Sequence, residues 1–295
     1  MFDQASKLRE MVKKDQNSNQ QESKKQKKTK TIAIASGKGG VGKSNITVNL
    51  GLALQEIGED VLLIDADMGM ANLDILLGLT QKYNLSHILQ EKCSFSEALM
   101  KGPKDIDILP GTSGVEDFVN INQKEVGRLL NIASQMEANY DIILIDIGAG
   151  IHKSVLSFIV GADQAGIVLT PEPTAIMDAY SLIKILSKHK SKNRVGLVIN
   201  QVESKKQAVE LSDRMKSVIQ EYLTQEISLM GFIPYDKFLK KSVQKQKPLL
   251  LSYPESKASK AIRRLARNLS ENDDQKQAKG VKGFVYRLLG VFNRE

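Results

Sequence analysis

The stretch SGKGGVGKSN, residues 36–45, separates two segments with different hydrophobic patterns. The residues before it, TIAIAS (31–36), form a short apolar run rich in β-branched side chains, which is typical of a buried strand. The residues after it, SNITVNLGLALQEIG, place Ile46, Leu50 and Leu54 on one face of an amphipathic helix. The sequence therefore predicts a strand, a glycine-rich turn and a helix in direct succession.

The spacing of the glycines in this turn is typical of a loop that binds the phosphates of a nucleotide. In Gly37-x4-Gly42-Lys43-Ser44, backbone N–H groups surround the phosphates, the lysine reaches the β and γ oxygens, and the serine hydroxyl binds Mg²⁺. A tight turn without a ligand is the alternative. It is disfavoured because a strand directly precedes the glycines and a helix directly follows them, which a simple turn does not require. The predicted nucleotide-binding residues of the loop are Gly37, Lys38, Gly39, Gly40, Val41, Gly42, Lys43, Ser44 and Asn45.

Lys38 lies at the start of this loop, where its side chain is expected to point away from the nucleotide bound by its own chain. The string GKGGVGKS resembles the deviant Walker A motif of the MinD/ParA family of ATPases. In that family the first lysine crosses a dimer interface to the phosphates bound by the other subunit. The resemblance implies ATP and Mg²⁺ as ligands, ADP as a product, and hydrolysis that depends on dimerisation, with Lys38 and Lys43 as catalytic residues. A solvated loop lysine is the alternative for Lys38.

Length and composition limit the class of protein. At 295 residues with 41% hydrophobic side chains, the chain can build one large α/β domain or two small ones. Its one cysteine, Cys93, excludes a disulfide within the chain and argues against related iron–sulfur carriers, which use at least two cysteines per subunit. The three histidines are scattered, so no metal site built on them is expected. No secretory signal and no apolar run of transmembrane length is present, which predicts a cytoplasmic protein.

The net charge of +8 is unevenly distributed. By segment, the charge is +5 in 1–30, −3 in 31–256, +5 in 257–270 and +1 in 271–295. Because the excess lies outside most of the core, it argues only weakly for a nucleic-acid partner. Arg263, Arg264 and Arg267 leave two interpretations open, a phosphate-binding face or the solvated side of a helix.

From residue 31 onward, apolar β-rich runs alternate with helical patterns. This alternation predicts an α/β fold with a doubly wound, mostly parallel sheet and helices on both faces. An open sheet of this kind binds its ligand at the carboxyl ends of its strands. The predicted strand segments are TIAIAS, DVLLIDAD, DIDILPG, DIILIDIG, AGIVLTPE, RVGLVINQV and SLMGFIPYD. The predicted organisation is an N-terminal segment 1–14, a flexible linker 15–30, a P-loop ATPase domain 31–270, a linker 271–279 and a C-terminal helix 280–295.

Two of the predicted strands end in aspartates. Asp65 and Asp67 in LLIDADMGMANLD follow a hydrophobic strand, where a charge is costly unless it binds a cation or accepts hydrogen bonds. Asp146 ends DIILIDIGAG, which has the form of a Walker B strand. The resemblance implies that this DxD segment forms switch I, that Asp67 orients the attacking water, and that Ser44, Asp65, Asp67 and Asp146 surround Mg²⁺. Helix capping or loop solvation is the alternative for the first pair.

The segment after the Walker B strand is implied to be switch II, which senses the γ-phosphate through Gly148, Ala149 and Gly150. Two further strand ends, LVINQV and FIPYD, offer a place for the base. The resemblance implies Asn200 at the adenine edge, with Pro234 and Asp236 around the base. Since an asparagine that ends a strand is often only a turn residue, both interpretations of Asn200 stay open.

Two features depart from the family pattern or extend it. Asn45 stands where the family commonly has a second hydroxyl, so its contact with the α-phosphate does not follow from the resemblance. The segment TPEPTAIMDAY (170–180) also resembles the family and is expected at the subunit interface, with Asp178 exposed on the following helix.

The C-terminal segment GVKGFVYRLLGVF collects apolar side chains on one helical face. These are Val281, Phe284, Val285, Leu288, Leu289 and Phe292. After a polar linker, such a helix is expected to lie on an anionic membrane, to dock in a groove of its own domain, or to alternate between the two. It resembles the membrane-targeting helix of MinD-type ATPases, which implies a cytoplasmic protein that cycles to the inner face of the cell membrane.

The N-terminal segment MFDQASKLREMVKK is an extension that MinD proteins lack. It resembles the DQAxxLR activator motif of the FlhG (YlxH) branch of the family, which governs flagellum number and placement. The matching residues are Asp3, Gln4, Ala5, Leu8 and Arg9. The resemblance implies that this segment stimulates FlhF, a GTPase of the signal-recognition-particle type, and that the protein engages flagellar C-ring switch proteins. A frayed amphipathic terminus is the alternative.

The expected function is therefore a membrane-cycling positioning ATPase that forms a homodimer with ATP and acts on flagella. A MinD-like role at the division site and a ParA-like role in DNA partition are the alternatives. The C-terminal helix and the charge distribution favour a membrane over nucleic acid as the partner surface.

Overall fold

The structure is a computed structural model that describes residues 28–67, 73–111, 122–189, 194–223, 225–271 and 278–292. The N-terminal motif and most of the first linker lie outside these residues. The described chain forms one eight-stranded sheet with the order β3-β4-β2-β5-β1-β6-β7-β8. Its strands are β1 (Lys30–Ser36), β2 (Val61–Ala66), β3 (Met100–Lys101), β4 (Asp107–Pro110), β5 (Ile142–Ala149), β6 (Gln164–Leu169), β7 (Arg194–Val202) and β8 (Ile227–Pro234).

Helices cover both faces of this sheet, as the alternating pattern predicts. They are α1 (Lys43–Gln55), α2 (Leu73–Leu77), α3 (Leu85–Leu89), α4 (Phe95–Ala98), α5 (Gln123–Asn139), α6 (Lys153–Gly161), α7 (Pro173–Lys188), α8 (Lys205–Tyr222), α9 (Lys237–Gln244), α10 (Leu249–Ser252), α11 (Lys257–Glu271) and α12 (Gly280–Phe292). A 3₁₀ turn, Pro103–Asp105, precedes β4. The predicted fold class is confirmed, and each of the seven predicted segments contains a strand.

The sheet is parallel except at one edge. β3 has only two residues and pairs antiparallel with β4 through Met100 and Ile108. The sequence did not predict β3, because two residues are too few to show a period of two. All the other pairings between neighbouring strands are parallel, so their carboxyl ends share one edge of the sheet.

Alternate side chains of the central strand enter two separate cores. Ala33 and Ala35 belong to the core beneath α5, α6, α7, α8 and α12. Ile32 and Ile34 belong to the opposite core, beneath α1, α10 and α11. This alternation follows from the period of two along a strand, and it buries β1 from both sides.

The C-terminal helix α12 is docked in a groove between α5 and α6. Its apolar face is buried through Val281, Phe284, Val285, Leu288 and Leu289, whereas the side chain of Phe292 lies outside the description. The rings of Phe158 and Phe284 have centroids 6.2 Å apart. An apolar cavity of ≈ 50 Å³ remains beneath the helix. Of the locations that the sequence allowed for this helix, the structure shows the one within its own domain.

Polar contacts also hold α12 in place. Arg287 Nη2 lies 2.9 Å from Asp163 Oδ1, and Arg287 Nε donates to the carbonyl of Gly161 at 2.7 Å. The other carboxylate oxygen of Asp163 accepts hydrogen bonds from the backbone N–H and the hydroxyl of Thr31. Asp163 therefore links α12 to the start of β1. No helix in the described ranges has both the length and the apolar character needed to cross a bilayer.

Candidate nucleotide-binding site

The glycine-rich loop connects the carboxyl end of β1 to the first turn of α1. Gly40 and Gly42 have φ values of +80° and +93°, a left-handed conformation that glycine adopts without the steric cost of a Cβ atom. Gly42 is the N-cap residue of α1, and Lys43 is its first residue. The loop therefore presents its backbone at a helix N-terminus, which is a favourable position for phosphate.

The second lysine of the loop is buried in an ion pair. Lys43 Nζ lies 2.9 Å from Asp146 Oδ1, and the hydroxyl of Thr47 donates to the same oxygen at 3.1 Å. Both charged side chains are almost fully buried. β5 lies beside β1 and runs parallel to it, and the register pairs Asp146 with Ile34. The end of β5 therefore lies next to the phosphate loop. Thr47 is a member of the site that the sequence analysis did not identify.

Asp146 retains a capacity for one more partner. Its Oδ2 atom is buried and has no hydrogen-bond partner among the residues that the structure describes. A buried carboxylate oxygen without a partner is costly, and it suits the water shell of a cation. The described residues contain no cluster of three or more His, Cys, Asp or Glu side chains that could hold a metal by themselves. The site therefore fits Mg²⁺ bound by one or two protein groups together with nucleotide phosphates.

Asp65 shapes the segment that was predicted to be switch I. Its Oδ1 accepts a hydrogen bond from the backbone N–H of Asp67, and its Oδ2 accepts one from Leu73, both at 3.1 Å. These two residues flank the stretch 68–72, which lies outside the described residues. Asp65 also pairs in register with Asp146 across β2 and β5. It thus has a structural role, whereas its place near Mg²⁺ stays a prediction.

Asp67 and switch II are in direct proximity. A Cβ atom added to Gly148 would lie 3.0 Å from Asp67 Oδ1, so the glycine leaves space for this carboxylate. Beyond Ala149, Gly150 has a φ of +112° and donates its backbone N–H to the carbonyl of Ser36. The two segments that were assigned to switch I and switch II therefore meet beside the phosphate loop.

Asn200 braces the phosphate loop from the end of β7. Its buried side chain donates from Nδ2 to the carbonyl of Val41 at 2.8 Å, and its Oδ1 accepts from the backbone N–H of Gln201. A Cβ atom on Gly42 would lie 2.5 Å from the same nitrogen. Gln201 has a φ of +58° and occupies a bulge between β7 and β8. Asn200 thus stabilises the turn at the end of β7, as one of the two interpretations predicted. Its contact with adenine stays a prediction.

Asp236 is a helix cap in this structure. Its Oδ1 accepts from the backbone N–H of Phe238, and its Oδ2 accepts from that of Ala258. Burial alone raises the pKa of this carboxyl, but these hydrogen bonds outweigh it and hold the pKa below its usual value. Asp236 therefore joins the first turns of α9 and α11. The contacts of Pro234 and Asp236 with a base stay predictions.

Lys38 points away from its own phosphate loop. Its Nζ lies 3.0 Å from Glu172 Oε2 and 2.8 Å from Thr174 Oγ1, at the N-terminus of α7. Glu172 lies in the segment TPEPTAIMDAY, which is predicted at the subunit interface, but its contact with Lys38 does not follow from the sequence. The prediction that Asp178 is exposed is wrong. Asp178 is half-buried, and its backbone packs against Gly37.

The contact at Gly37 supplies a test of how closely α7 must approach the loop. A Cβ atom there would lie within 3.0 Å of the Asp178 carbonyl, which is closer than real Cβ atoms come. Gly37→Ala should therefore lower the free energy of unfolding by about 1–3 kcal/mol. Gly39→Ala is the matched control, because a Cβ atom at Gly39 meets nothing within 4 Å. We expect a drop in Tm of about 3–10 °C for the first variant and little change for the second, measured without nucleotide. Equal melting points would contradict the tight approach.

A glycine-rich loop at the carboxyl edge of a parallel sheet, with its lysine paired to the aspartate of the adjacent strand, defines the class of P-loop nucleotide-binding proteins. Residues 32–249 match the family described as the CobQ/CobB/MinD/ParA nucleotide binding domain. The chain belongs to this family. The predicted resemblance to its FlhG-type members is likewise confirmed.

Relatives of known name support this placement. The chain is 36% identical over 248 residues to the antiactivator FleN of Pseudomonas aeruginosa, covering 84% of this chain and 89% of FleN. It is 33% identical to the flagellum site-determining protein YlxH of Helicobacter pylori, covering 84% of this chain and 85% of YlxH. The septum site-determining protein MinD of Pyrococcus horikoshii, solved with Mg-ADP, superimposes with a TM-score of 0.65 at 27% identity, over 82% of this chain and 96% of MinD.

Proposed function

We propose that the protein is an Mg²⁺-dependent ATPase that dimerises with ATP, cycles between the cytoplasm and the inner face of the cell membrane, and regulates flagellar number and placement. The observation that carries the proposal is the opposite orientation of the two loop lysines. Lys43 Nζ is buried against Asp146, whereas Lys38 Nζ faces outward on Glu172 and Thr174. A lysine so placed is available to a second copy of the chain.

Binding of ATP changes the partners of the buried lysine. Phosphate oxygens and Asp146 compete for one ammonium group, so we expect Lys43 to exchange its ion pair for the β- and γ-phosphates. The carboxylate of Asp146 could then accept hydrogen bonds from water molecules bound to Mg²⁺, and the Ser44 hydroxyl could bind the ion directly. When bound, Mg²⁺ neutralises charge on the phosphates. Thr47 keeps its hydrogen bond to Asp146 and so limits the movement of that side chain.

Asp67 is proposed to orient the attacking water, because its carboxylate lies beside Gly148 in the segment assigned to sense the γ-phosphate. Asp67→Ala should lower single-turnover hydrolysis by about one to two orders of magnitude. ATP affinity should persist, since Lys43 and Ser44 remain. Asp74→Ala is the matched control, because Asp74 is a nearby carboxylate whose Oδ1 accepts the backbone N–H of Ile75 instead. Unchanged single-turnover rates for Asp67→Ala would remove Asp67 from this role.

Membrane cycling is proposed to use release of α12 from its groove. The face that packs on α5 and α6 is the same apolar face that a bilayer would receive. Burial lowers the pKa of the Arg287 guanidinium, although Asp163 opposes this effect. Release breaks the contacts of Arg287 with Asp163 and Gly161, and anionic headgroups would replace these partners.

The flagellar role rests on the names of FleN and YlxH and on the N-terminal motif. We propose that residues 1–14 bind the GTPase FlhF and that the ATPase domain engages C-ring switch proteins. A synthetic peptide of residues 1–14 should stimulate GTP hydrolysis by FlhF without the ATPase domain, and Gln4→Ala should weaken this effect. If the peptide leaves the GTPase rate unchanged at saturation, a MinD-like role at the division site becomes the better proposal.

A further inference from the structure

The exposed side of α11 carries a continuous row of cations. Lys257, Lys260, Arg264 and Arg267 recur at helical spacing and are exposed. The opposite side of the helix is buried in the core beneath α1, so this orientation is fixed by packing. Glu255 is the acidic neighbour of the row, at 3.1 Å from Lys260, and Glu56 is paired with Arg263.

The helix α9 continues the same charge. This helix exposes Lys237, Lys240 and Lys241, and Lys245 follows it directly. The stretch 237–254 contains no acidic residue. The rings of Phe238 and Tyr253 stack at 4.5 Å beneath three of these lysines. Their ammonium groups lie 5.6, 5.7 and 5.9 Å from the ring centroids, so the rings hold cations that have no carboxylate partner among the described residues.

The two helices adjoin at their first turns, where Asp236 bonds to the backbone of both. The carboxylate of Asp236 is saturated by those backbone hydrogen bonds and is directed toward the helix ends. We define the α9–α11 face by its exposed cations, which are Lys237, Lys240, Lys241, Lys245, Lys257, Lys260, Arg264 and Arg267. A surface with eight cations, beside the exposed carboxylates of Glu56, Glu255 and Glu271, carries a net positive charge that is complementary to an anionic partner.

The course of the chain indicates which anionic partner meets this face. The helix α11 ends at Glu271, and residues 272–279 connect it to α12. A connection of eight residues reaches at most roughly 28 Å even when it is fully extended. An α12 that leaves its groove and enters a bilayer therefore stays within that distance of the end of α11, close to Arg267. The exposed apolar side chains of Val243 and Leu251, beside the lysines of α9, also suit a lipid interface better than a phosphodiester backbone.

We infer that the α9–α11 face is a second membrane contact, which binds anionic lipid headgroups beside the inserted α12. The inference rests on the proposed membrane cycle. A single short amphipathic helix gives weak and reversible binding, and a basic surface is the second signal that makes attachment stable. Each cation near an anionic surface strengthens partitioning roughly fivefold, so the loss of three cations should weaken it roughly a hundredfold.

The experiment uses the full chain with ATP and compares two triple variants of equal charge. Lys240→Gln, Arg264→Gln and Arg267→Gln remove cations from the α9–α11 face. As the matched control, Lys124→Gln, Lys184→Gln and Lys188→Gln remove three exposed cations from α5 and α7 on the other side of the sheet. Pelleting is measured with vesicles of phosphatidylcholine containing 0 or about 30% phosphatidylglycerol, at low and high salt. Duplex DNA pelleting and solution ATP turnover are measured in parallel.

The face variant should lose roughly a hundredfold in partitioning to anionic vesicles at low salt, with ATP turnover unchanged, while the control binds like the wild type. If the face variant binds anionic vesicles as strongly as the wild type does, the second membrane contact is overturned, but the membrane cycle is not. Failure of the wild type to pellet with any vesicle would overturn the membrane cycle itself. If the face variant keeps its vesicle binding but loses DNA binding shown by the wild type, the face serves nucleic acid and the lipid assignment is wrong.

Discussion

Lys38→Ala is expected to lower ATP turnover by about a thousandfold and to leave the protein monomeric at ATP concentrations that dimerise the wild type. A cation supplied in trans to a γ-phosphate is worth this much, because it offsets charge in the transition state that the subunit's own residues do not reach. Lys38 Nζ contacts Glu172 and Thr174 and not its own loop, so its removal takes nothing from the buried pair of Lys43 and Asp146. ATP binding by the monomer should therefore survive.

The contact with Glu172 makes this prediction sharper. To reach the phosphates of a partner, the ammonium group has to leave a carboxylate at 3.0 Å, although this pair is largely exposed and therefore weak. Glu172→Gln should then leave hydrolysis close to the wild-type rate or raise it slightly, which makes it a matched control for loss of the ion pair alone. Sedimentation velocity with ATP and with ADP, together with turnover assays, measures both effects. A Lys38→Ala protein that dimerises normally with ATP would falsify the assignment of this lysine to the opposing subunit.

The sequence was sufficient for the fold because each long strand is an apolar run bounded by turn residues. It was also sufficient for the strand–loop–helix arrangement of the phosphate loop, since spacing within seven residues determines the positions of Gly37, Gly42 and Lys43. It was insufficient where two distant segments meet. The contact of Lys38 with Glu172 joins residues 134 apart, and that of Arg287 with Asp163 joins residues 124 apart. Neither pair has a periodic pattern that would indicate it.

Polar residues at strand ends were the other difficulty. The sequence identified Asn200, Asp65 and Asp236 as chemically capable groups, and the structure shows each one bonded to backbone atoms. Such residues serve the backbone of loops in many proteins, because buried N–H and C=O groups require partners. At the strand ends of a ligand-binding sheet, the same residue types bond to the loop backbone and contact the ligand. Residue type alone therefore could not show which of these two roles each residue has.

A substitution in the groove can separate the docking of α12 from its affinity for lipid. A Cβ atom added to Gly161 would lie 3.0 Å from the Phe284 ring and 3.3 Å from Leu288 Cβ. Gly161→Val should therefore weaken docking by about 3 kcal/mol, or roughly 150-fold, because its larger side chain meets two residues of a well-packed groove. The apolar residues of α12 that are proposed to meet lipid are unchanged by this substitution. We expect the variant to pellet with anionic vesicles in the absence of ATP, at partitioning close to that of the ATP-bound wild type.

Two further variants make this result interpretable. Gly127→Val introduces the same side chain on α5 where a Cβ atom meets nothing within 4 Å, and it should keep the dependence on ATP. Adding Phe284→Glu to Gly161→Val should abolish pelleting, because a charge in the apolar face opposes insertion. Deleting 271–295 is a weaker test, since it exposes the groove that α12 covers and so lowers stability as well as membrane binding. If Gly161→Val still requires ATP to bind vesicles, release of α12 is not the step that ATP controls, and the membrane cycle has to begin elsewhere in the molecule.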